Sequence, residues 1–242
     1  MCARGAQVFS WQQLFDHLEI KGIAPEGGLN RFNIAPSTSS KEATQWTRLP
    51  VVTLNEESER SVHGMIWPLI PFWCHGKLPR FSTANCRSEP TESFSETVAK
   101  KPAFRDAWGK NRRCLIPFSW FYEWDQRTKP KQPWMISAKD ESIMVMAGLW
   151  DLTQTPQGNT WLSCTIMTTQ PNDLLSSIGH HRAPVVLDQS DWATWLGDCP
   201  ERAERLLKPP KSETMQAQPV TMRINNPLFD EDVRTFDDNP QG

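Results

Sequence analysis

Short apolar runs constrain the fold of this chain more than any other feature of its sequence. Six runs are rich in β-branched and aromatic side chains, and turn-forming residues separate them at irregular intervals. They span residues 51–54, 64–70, 115–124, 143–150, 161–168 and 184–187. Such runs are typical of strands, and their irregular spacing favours antiparallel pairing over a repeated βαβ pattern. We expect an α+β fold, with mainly antiparallel β-sheets packed as a sandwich or open barrel and a few peripheral helices.

Two of these helices have recognisable ends in the sequence. Ser10 and Gln13 match a capping box, and the apolar residues that follow recur at helical spacing. Residues 11–20 are therefore predicted to form an amphipathic helix. Ser190 is a candidate N-cap for a second helix, which Gly197 would close.

Chain length and charge narrow the class of protein. The 242 residues can bury their core as one domain, which we expect over residues 1–230, followed by an acidic C-terminal tail over 231–242. The formal net charge of −2 argues against a wholly basic nucleic-acid coat protein. A local basic groove is still compatible with that balanced total.

Sequence signals for membranes, export and metals are missing from the chain. No apolar run approaches the roughly 18 residues of a membrane span. The first residues lack the basic start and apolar stretch of a secretory signal. We therefore expect a cytoplasmic protein whose six cysteines are reduced thiols. No CxxC pair or HExxH motif occurs, so neither a metal nor a cofactor is expected.

The second residue is a cysteine, which is an unusual position for a reactive group. Met1 precedes a small side chain, so we expect methionine removal to leave Cys2 as the mature N-terminus. An α-amine with a pKa of about 7.7 to 8.0 and a thiol with a pKa of about 8.5 would then lie side by side. An amine condenses with an aldehyde to an imine, and a neighbouring thiol closes it to a thiazolidine. Alternatively, Cys2 is an incidental residue at a disordered terminus, and its position alone does not decide.

Asn85 and Arg87 are two residues apart, so on an extended segment both side chains face the same side. An asparagine can hold the backbone or amine of a cysteine, whereas an arginine suits a phosphate. Without further context, a solvated loop is the favoured explanation of this segment.

Glu123 and His180 are the candidate proton-transfer groups. Glu123 lies within an aromatic run, and desolvation there would raise its pKa and suit it to general acid or base catalysis. The alternative is a strand with Glu123 directed to water. His180 and His181 would lie on opposite faces of a strand, so only one could reach a site and shuttle protons. The alternative for either is an ordinary core or surface histidine.

Residues 67–73, WPLIPFW, are too rich in proline for a central strand. An exposed tryptophan here could stack on nucleic-acid bases, a contact worth about 1 to 3 kcal/mol per base. Burial in the core is the alternative, and we expect it for at least one of Trp67 and Trp73.

Taken together, these segments resemble the SOS response-associated peptidase family, which includes the abasic-site processing proteins of bacteria and eukaryotes. The similarity runs from Met1 to about Pro227. Its marks are residues 1–4 (MCAR), 31–36 (RFNIAP), 67–73, 85–89, 112–124 (RRCLIPFSWFYEW), 147–151 (AGLWD), 180–184 and 225–227.

The resemblance implies a covalent reaction with DNA. Cys2 would attack the ring-opened aldehyde of an abasic site in single-stranded DNA and end as a thiazolidine, shielding the lesion. Asn85 would orient the Cys2 amine. Glu123 would transfer protons during imine formation and ring closure, and His180 would assist opening of the deoxyribose.

The resemblance also implies a set of DNA contacts. Phosphates would be held by Arg4, Arg87 and Arg182, and bases would stack on or be wedged by Pro36, Trp67 and Trp124. The implied partner is abasic single-stranded DNA, bound by a monomer in the cytoplasm at the nucleoid. The chain departs from the family pattern at four positions, none of which replaces a proposed catalytic group: Ala3, Pro68, Trp120 and Ala183.

Two other classes of function remain open at this point. One is a thiol peptidase or autopeptidase with Cys2 as nucleophile and His180 as base. The other is a noncovalent reader of modified or single-stranded DNA that uses Trp67, Trp124 and the arginines without any chemistry.

Overall fold

The computed structural model describes residues 3–38, 42–89 and 92–236. The strands are β1 (Gly5–Ser10), β2 (Gly28–Ile34), β3 (Arg48–Leu54), β4 (Arg60–Ile66), β5 (Asn85–Arg87), β6 (Arg113–Phe118), β7 (Trp120–Trp124), β8 (Pro133–Ala138), β9 (Met144–Gln154), β10 (Thr160–Thr169), β11 (Ala183–Pro184) and β12 (Met215–Pro219). The α-helices are α1 (Trp11–His17), α2 (Phe94–Val98), α3 (Arg105–Gly109), α4 (Asp173–Ser177), α5 (Trp192–Leu196) and α6 (Pro200–Glu204). No helix within these ranges is long and apolar enough to cross a membrane.

These strands form two sheets. The first is antiparallel, with the order β12-β8-β7-β1-β2. In the second, β4, β3, β6, β9 and β10 pair in turn, and a parallel bridge from β10 back to β4 closes the ring. β5 and β11 both add to β10. The expected α+β fold with mainly antiparallel sheets is confirmed, and the second sheet forms a five-strand barrel.

Gly148 is where β9 fits between its two barrel neighbours. It pairs with Cys114 on β6 and with Ile166 on β10. A Cβ at this position would lie 2.6 Å from Ile116 Cδ1 and 2.9 Å from the carbonyl oxygen of Thr165. Such distances are shorter than side-chain contacts allow, so glycine permits the close approach that the barrel needs here.

The run 115–124 was predicted as one strand, but it contributes to both sheets. Its first part belongs to β6 in the barrel and its last part is β7 in the other sheet. The break falls at Ser119, whose N–H donates to the carbonyl oxygen of Ala6 at 2.9 Å. The Ser119 hydroxyl accepts a hydrogen bond from the Val8 N–H, also at 2.9 Å. These bonds to β1 redirect the chain from one sheet to the other.

Two further predicted strands have bounds that differ from the prediction. β4 begins before the predicted run and ends at Ile66, before the prolines at positions 68 and 71, which have no N–H to donate to a sheet. Of the run 184–187, only Pro184 belongs to a strand, together with Ala183.

The predicted helices are present, with one wrong cap. The capping box of α1 is confirmed, with the Gln13 N–H donating to Ser10 Oγ at 3.0 Å, although the helix ends at His17. Gly197 closes α5 as predicted. Ser190 does not cap α5, because it lies in a preceding 3-10 turn.

The boundary predicted for the C-terminal tail is too early. Val233 is buried in the core, and Arg234 lies over the ring of Trp120, with its guanidinium carbon 4.7 Å from the ring centroid. Residues 231–236 therefore pack against the first sheet. The rest of the predicted tail, 237–242, lies outside the described residues.

Trp67 belongs to the core. Its side chain is fully buried, its indole N–H donates to the carbonyl oxygen of Ala84 at 2.9 Å, and its ring meets the edge of Phe118. The prediction that Trp67 contacts DNA bases is therefore wrong. The expectation that at least one of Trp67 and Trp73 is buried is confirmed by Trp67, whereas Trp73 is partly exposed.

The burial of Trp67 leads to a stability prediction. Trp67→Ala should lower the free energy of unfolding by about 3 to 5 kcal/mol, because it leaves a large cavity. Trp67→Phe should lower it by about 0.5 to 1.5 kcal/mol, because the carbonyl oxygen of Ala84 loses one of its two donors and keeps the Ile166 N–H at 3.2 Å. Urea unfolding checks both values, with Trp73→Phe as the surface control. A Trp67→Phe protein as stable as wild type would contradict the core assignment.

Candidate functional site

Glu123 and His180 meet in the interior of the protein. Glu123 lies on β7, His180 lies between α4 and β11, and Glu123 Oε2 is 3.0 Å from His180 Nε2. Their side chains are 2% and 5% exposed. The alternative that Glu123 is directed to water is therefore wrong. A buried carboxylate–imidazole contact of this length can pass a proton between its partners, and the low local dielectric strengthens it.

A clamp between β7 and α4 holds the loop that carries His180. The Arg127 guanidinium donates to both carboxylate oxygens of Asp125, at 2.9 and 2.8 Å, and to the carbonyl oxygen of Ser177 at 3.0 Å. Asp125 lies two residues beyond Glu123, and Ser177 is the last residue of α4. The backbone N–H of His180 donates to the Leu175 carbonyl oxygen at 2.9 Å. The clamp thus ties both partners of the buried contact to the same scaffold.

Gly179 makes the turn into His180 possible. Its φ of 77° is in the left-handed region, which favours glycine. A Cβ there would overlap Asp125 Oδ1 and lie 2.5 Å from Arg127 Nε. Conformation and close approach both require glycine at this position.

His180 and His181 do not lie on opposite faces, as alternation along a strand would place them. Their rings stack, with centroids 5.8 Å apart and an interplanar angle of 5°. Alternation fails because both residues precede β11 and are not in a strand. His180 is buried against Glu123, whereas His181 is exposed. That only one imidazole reaches the functional site stays a prediction.

Asn85 and Arg87 face a common cavity. Both line a cavity of about 460 Å³ beside β5, which confirms that their side chains face the same side. Asn85 is 8% exposed, and its Oδ1 accepts no hydrogen bond from the described part of the chain. Lys101 also lines the cavity, and its ammonium donates to the carbonyl oxygen of Arg87 at 2.6 Å.

Arg182 connects the His180 loop to the segment that follows β5. Its guanidinium donates to Glu89 Oε1 at 2.7 Å, to the carbonyl oxygen of Ser88 at 3.0 Å and to that of Thr168 at 2.9 Å. These bonds brace the end of β5 against β10. A phosphate contact for Arg182 stays a prediction, and such a phosphate would compete with Glu89.

Residues 1 and 2 lie outside the described residues, so the position of Cys2 is not part of this structure. The residues that follow it, from Ala3 onward, belong to the described structure. β1 pairs Ala6 with Trp120 and Gly5 with Phe121, and the Arg4 carbonyl oxygen accepts from the Tyr122 N–H at 3.0 Å. Continuation of this register places Ala3 opposite Glu123. The described chain therefore approaches the Glu123–His180 contact at its N-terminal end.

Asn33 anchors Arg4, and its importance was not recognised in the sequence. One Arg4 guanidinium nitrogen donates to Asn33 Oδ1 at 2.6 Å and to the Ile224 carbonyl oxygen at 3.0 Å, and burial lowers the pKa of Arg4. The Asn33 amide also donates to carbonyl oxygens of the C-terminal segment at Asn226 and Phe229. Its only signal in the sequence was its place in the motif RFNIAP.

Two of the predicted base contacts remain accessible. Pro36 and Trp124 are half-buried, and the Trp124 indole N–H donates to Asn225 Oδ1 at 2.7 Å. This bond fixes the ring while leaving part of it exposed. Stacking by these two residues stays a prediction.

The cysteines of the second sheet are unsuited to nucleophilic chemistry. Cys86, Cys114 and Cys164 are buried, and burial raises the pKa of each thiol, to about 12 for Cys86. Because the thiolate is the nucleophile, these groups are held in their unreactive form. Cys199 is exposed. Within the described ranges, no group of three or more His, Cys, Asp and Glu side chains has metal-binding geometry.

The five-strand barrel, the antiparallel sheet beside it and the buried Glu123–His180 contact are the features to compare with known proteins. Residues 1–227 match the SOS response associated peptidase (SRAP) family, and the chain belongs to this family. The abasic site processing protein YoqW of Bacillus subtilis is 31% identical over 232 residues, which cover 94% of this chain and 95% of YoqW.

A further named relative and two solved structures are also similar to this chain. The abasic site processing protein HMCES of Pongo abelii is 31% identical over 229 residues, which cover 81% of this chain and 61% of that protein. A crystal structure of a protein from Bacteroides thetaiotaomicron superposes with a TM-score of 0.73 at 23% identity, covering 92% of this chain and 93% of the other. A protein from Bordetella bronchiseptica gives a TM-score of 0.72 at 22% identity, covering 91% of this chain and 100% of the other. The two structures share the fold.

The turn at Gly179 gives one prediction for the site. Gly179→Ala should lower the free energy of unfolding by about 1 to 3 kcal/mol, because it strains a positive φ and pushes Asp125 and Arg127 aside. Gly158→Ala is the matched control, because Gly158 has a φ of 83° but open space around its missing Cβ. Urea unfolding of both variants checks this. Equal losses in the two proteins would contradict a steric role for Gly179.

The Asp125–Arg127 clamp gives a pH prediction. The Arg127 side chain, which donates hydrogen bonds to Asp125, lowers the pKa of that carboxyl group to about 2, below the unfolded value of about 3.9. A lowered folded pKa stabilises the protein above about pH 4, and this stabilisation disappears as the pH falls toward 2. The stability difference between wild type and Arg127→Gln should therefore shrink over that interval. Urea midpoints at stepped pH measure the difference, and a constant difference would contradict the ionic clamp.

Proposed function

We propose that this protein binds abasic sites in single-stranded DNA and becomes crosslinked to them through Cys2, which protects the lesion from strand cleavage. One observation carries the proposal: β1 leads the described chain in register toward the buried Glu123–His180 contact. The family assignment and the names of YoqW and HMCES support the same activity. The proposed site combines an amine, a thiol and a proton-transfer pair.

The proposed reaction joins the matured Cys2 to the sugar without an oxidant or a cofactor. Opening of the deoxyribose ring frees the aldehyde, and the Cys2 amine adds to its carbon to give a carbinolamine. Loss of one water gives the imine. The Cys2 thiol then adds to the same carbon, and its proton ends on the nitrogen. In total, one C–N and one C–S bond form, the carbonyl bond is lost and one water leaves.

Glu123 and His180 would move the protons of these steps. Glu123 would accept a proton from the attacking amine and return it to the departing hydroxyl group as general base and acid. His180 would assist ring opening and exchange its proton with Glu123 across their 3.0 Å contact. Asn85, whose Oδ1 accepts no hydrogen bond from the described residues, would orient the Cys2 amine.

The proposed DNA contacts fit a chain of modest net charge. Arg4, Arg87 and Arg182 would hold phosphates around the lesion, and Pro36 and Trp124 would contact the neighbouring bases. A covalent bond does not require the large electrostatic footprint of a tight noncovalent complex, so a formal net charge of −2 is compatible with this role. The protein would act as a monomer in the cytoplasm, at the nucleoid when bound to DNA.

An autopeptidase activity, in which Cys2 removes Met1 with His180 as base, is a separate proposal that the family name suggests. Protein made while methionine aminopeptidase is blocked distinguishes the two routes by intact mass. Retained Met1 would exclude self-cleavage and leave the crosslinking proposal intact. Loss of Met1 in wild type but not in His180→Ala would support self-cleavage.

The crosslinking proposal is tested with abasic single-stranded DNA. Wild type should form an adduct that survives denaturing electrophoresis, and Cys2→Ala should form none. Cys199→Ala is the matched control, because Cys199 is an exposed thiol at a position with no proposed role. The adduct should add the mass of the DNA minus one water to that of the mature protein. An adduct of unchanged yield with Cys2→Ala would overturn the proposal.

The role of Glu123 is tested by rate rather than by yield. Glu123→Gln keeps the shape and hydrogen-bonding capacity of the side chain but cannot accept a proton, so the single-turnover rate should fall about 10²- to 10⁴-fold. The half-saturating protein concentration should stay the same, because the change affects chemistry and not binding. Quenched time courses with excess protein measure both quantities. An unchanged maximum rate would remove Glu123 from the mechanism.

A further inference from the structure

The pairing of β2 with β1 is interrupted next to a segment from the other end of the chain. β2 has a β-bulge opposite Ala6, where Phe32 and Asn33 face a single residue of β1. A bulge leaves backbone groups without partners in the sheet. Here Asp230 Oδ1 accepts from the Phe32 N–H at 2.6 Å and from the Asn33 N–H at 2.9 Å. A segment late in the sequence therefore binds where β2 departs from regular pairing.

The Asn33 side chain binds the same segment. Its amide nitrogen donates to three carbonyl oxygens, those of Ile224 at 3.3 Å, Asn226 at 3.0 Å and Phe229 at 2.8 Å. A carboxamide has two N–H donors, so the three acceptors share them. Residues 224–230 thus fold around the end of one side chain, and we call them the C-terminal strap.

The carboxamide oxygen of Asn33 holds Arg4. Arg4 Nη1 donates to Asn33 Oδ1 at 2.6 Å and to the carbonyl oxygen of Ile224 at 3.0 Å. A single nitrogen therefore bonds both to the asparagine and to the C-terminal strap. Hydrogen bonds from a charged donor are about twice as strong as those between neutral groups. The Arg4 side chain is thus fixed at the point where β2 and the C-terminal strap meet.

The fixed position of Arg4 limits the reach of the amino terminus. Arg4 is two residues from Cys2, and two residues of chain span at most about 7 Å. The Arg4 carbonyl oxygen is held by the Tyr122 N–H at 3.0 Å, and the bonds of its side chain add a second hold. Both holds bear on reactivity, because a displacement of about 1 Å between reacting groups can slow a reaction about 10²-fold.

The C-terminal strap also fixes the ring of Trp124. Asn225 lies between Ile224 and Asn226, and its Oδ1 accepts from the Trp124 indole N–H at 2.7 Å. Trp124 is one of the proposed base contacts and directly follows Glu123 in β7. The C-terminal strap therefore bonds both to a proposed base contact and to the residue that restrains the amino terminus.

We propose that Asn33 and the C-terminal strap position the amino terminus for the crosslinking reaction. They hold Arg4, and through it they keep the Cys2 amine and thiol close to the Glu123–His180 contact. Asn33 is a positioning residue, because it acts through Arg4 and not on the reacting atoms. This inference rests on the proposed function and deepens it. It is compatible with a phosphate contact for Arg4, whose Nε and Nη2 take no part in the two bonds.

Single-turnover crosslinking to abasic single-stranded DNA tests the positioning role. Asn33→Ala should lower the maximum rate about 10- to 100-fold, because the amine and thiol are held less closely to the proton-transfer groups. The half-saturating protein concentration should stay within about twofold of wild type, because Asn33 has no proposed contact with DNA. An unchanged maximum rate would overturn the proposal, as would a loss confined to the half-saturating concentration.

Asn111→Ala is the matched control for lost stability. Asn111 Oδ1 also accepts from an arginine Nη1, that of Arg113 at 3.1 Å, and its amide donates to the carbonyl oxygen of Asp198 at 3.4 Å. Its φ of 53° adds strain to the alanine variant. This variant should nevertheless react at the wild-type rate. Equal losses of rate in Asn33→Ala and Asn111→Ala would reduce Asn33 to a general structural role and contradict the proposal.

A double-mutant cycle tests whether Asn33 acts through Arg4. Arg4→Ala removes the same contact from the other side and should lower the maximum rate by a similar factor, so it also serves if Asn33→Ala folds poorly. The double variant should react within about threefold of the slower single variant, because both changes remove one interaction. Losses that multiply would mean that the two side chains act independently, which contradicts the proposal, as does an unchanged maximum rate for Arg4→Ala.

Amide hydrogen exchange tests the hold on the amino terminus without DNA. The Tyr122 N–H donates to the Arg4 carbonyl oxygen, whereas the Ser119 N–H donates to that of Ala6, further along β1. Asn33→Ala should speed exchange about tenfold at Tyr122 and leave Ser119 within about twofold of wild type. Unchanged exchange at Tyr122, or equal acceleration at both amides, would overturn the hold. If wild type forms no adduct with abasic DNA, the proposed function fails, while exchange still decides whether Asn33 restrains the start of β1.

Discussion

Strand β10 pairs with four other strands, and both the barrel and the candidate site depend on this pairing. Its first part pairs with β9 and bridges to β4, which closes the ring. Its last part pairs with β5 and β11. β5 carries Asn85, and β11 directly follows the loop that contains His180. Strand β10 therefore holds in place both parts of the second sheet that contribute to the site. Arg182 strengthens this arrangement by donating to the Thr168 carbonyl oxygen on β10.

The Glu123–His180 contact is a buried polar interaction between the two sheets. Glu123 comes from β7 of the first sheet, whereas His180 comes from the loop that leads into the barrel sheet. Burial of both side chains excludes water and makes their hydrogen bond stronger than it would be on the surface. Burial of two ionisable side chains is unfavourable unless their geometry is well defined. The Arg127 clamp and the turn at Gly179 fix the geometry of Glu123 and His180. The same features that stabilise the loop therefore position Glu123 and His180.

Local features of the fold could be predicted from the sequence, and nonlocal pairing could not. The capping box at Ser10 depends on residues three apart, so it was recognised and is confirmed. The break at Ser119 depends on hydrogen bonds to β1, more than a hundred residues earlier, and periodicity within 115–124 contains no trace of it. The strands of the first sheet other than β7 were missed for a related reason. Their runs mix polar and apolar residues, and this holds for the largely exposed β2 and β12 as well as for the buried β1, which contains Gln7.

The candidate site could be predicted as a set of residues but not as an arrangement. Glu123 was ambiguous between water and the interior, and only its contact with His180 resolves the ambiguity. Trp67 was assigned to DNA through the family resemblance, yet its indole N–H has a backbone partner inside the core. Asn33 was overlooked because its four partners lie at both ends of the chain, where no spacing rule applies.

The assembly of the Glu123–His180 contact from two sheets has a consequence for the newly made protein. Under the proposed mechanism, a chain in which only one sheet has formed lacks either the carboxylate or the imidazole in place, so its amino terminus would have no help in condensing with carbonyl compounds. Metabolic aldehydes would therefore react slowly with the amino terminus while the protein is being synthesised. Full reactivity would appear in one step, when the sheets dock, and it would vanish in the same step on heating.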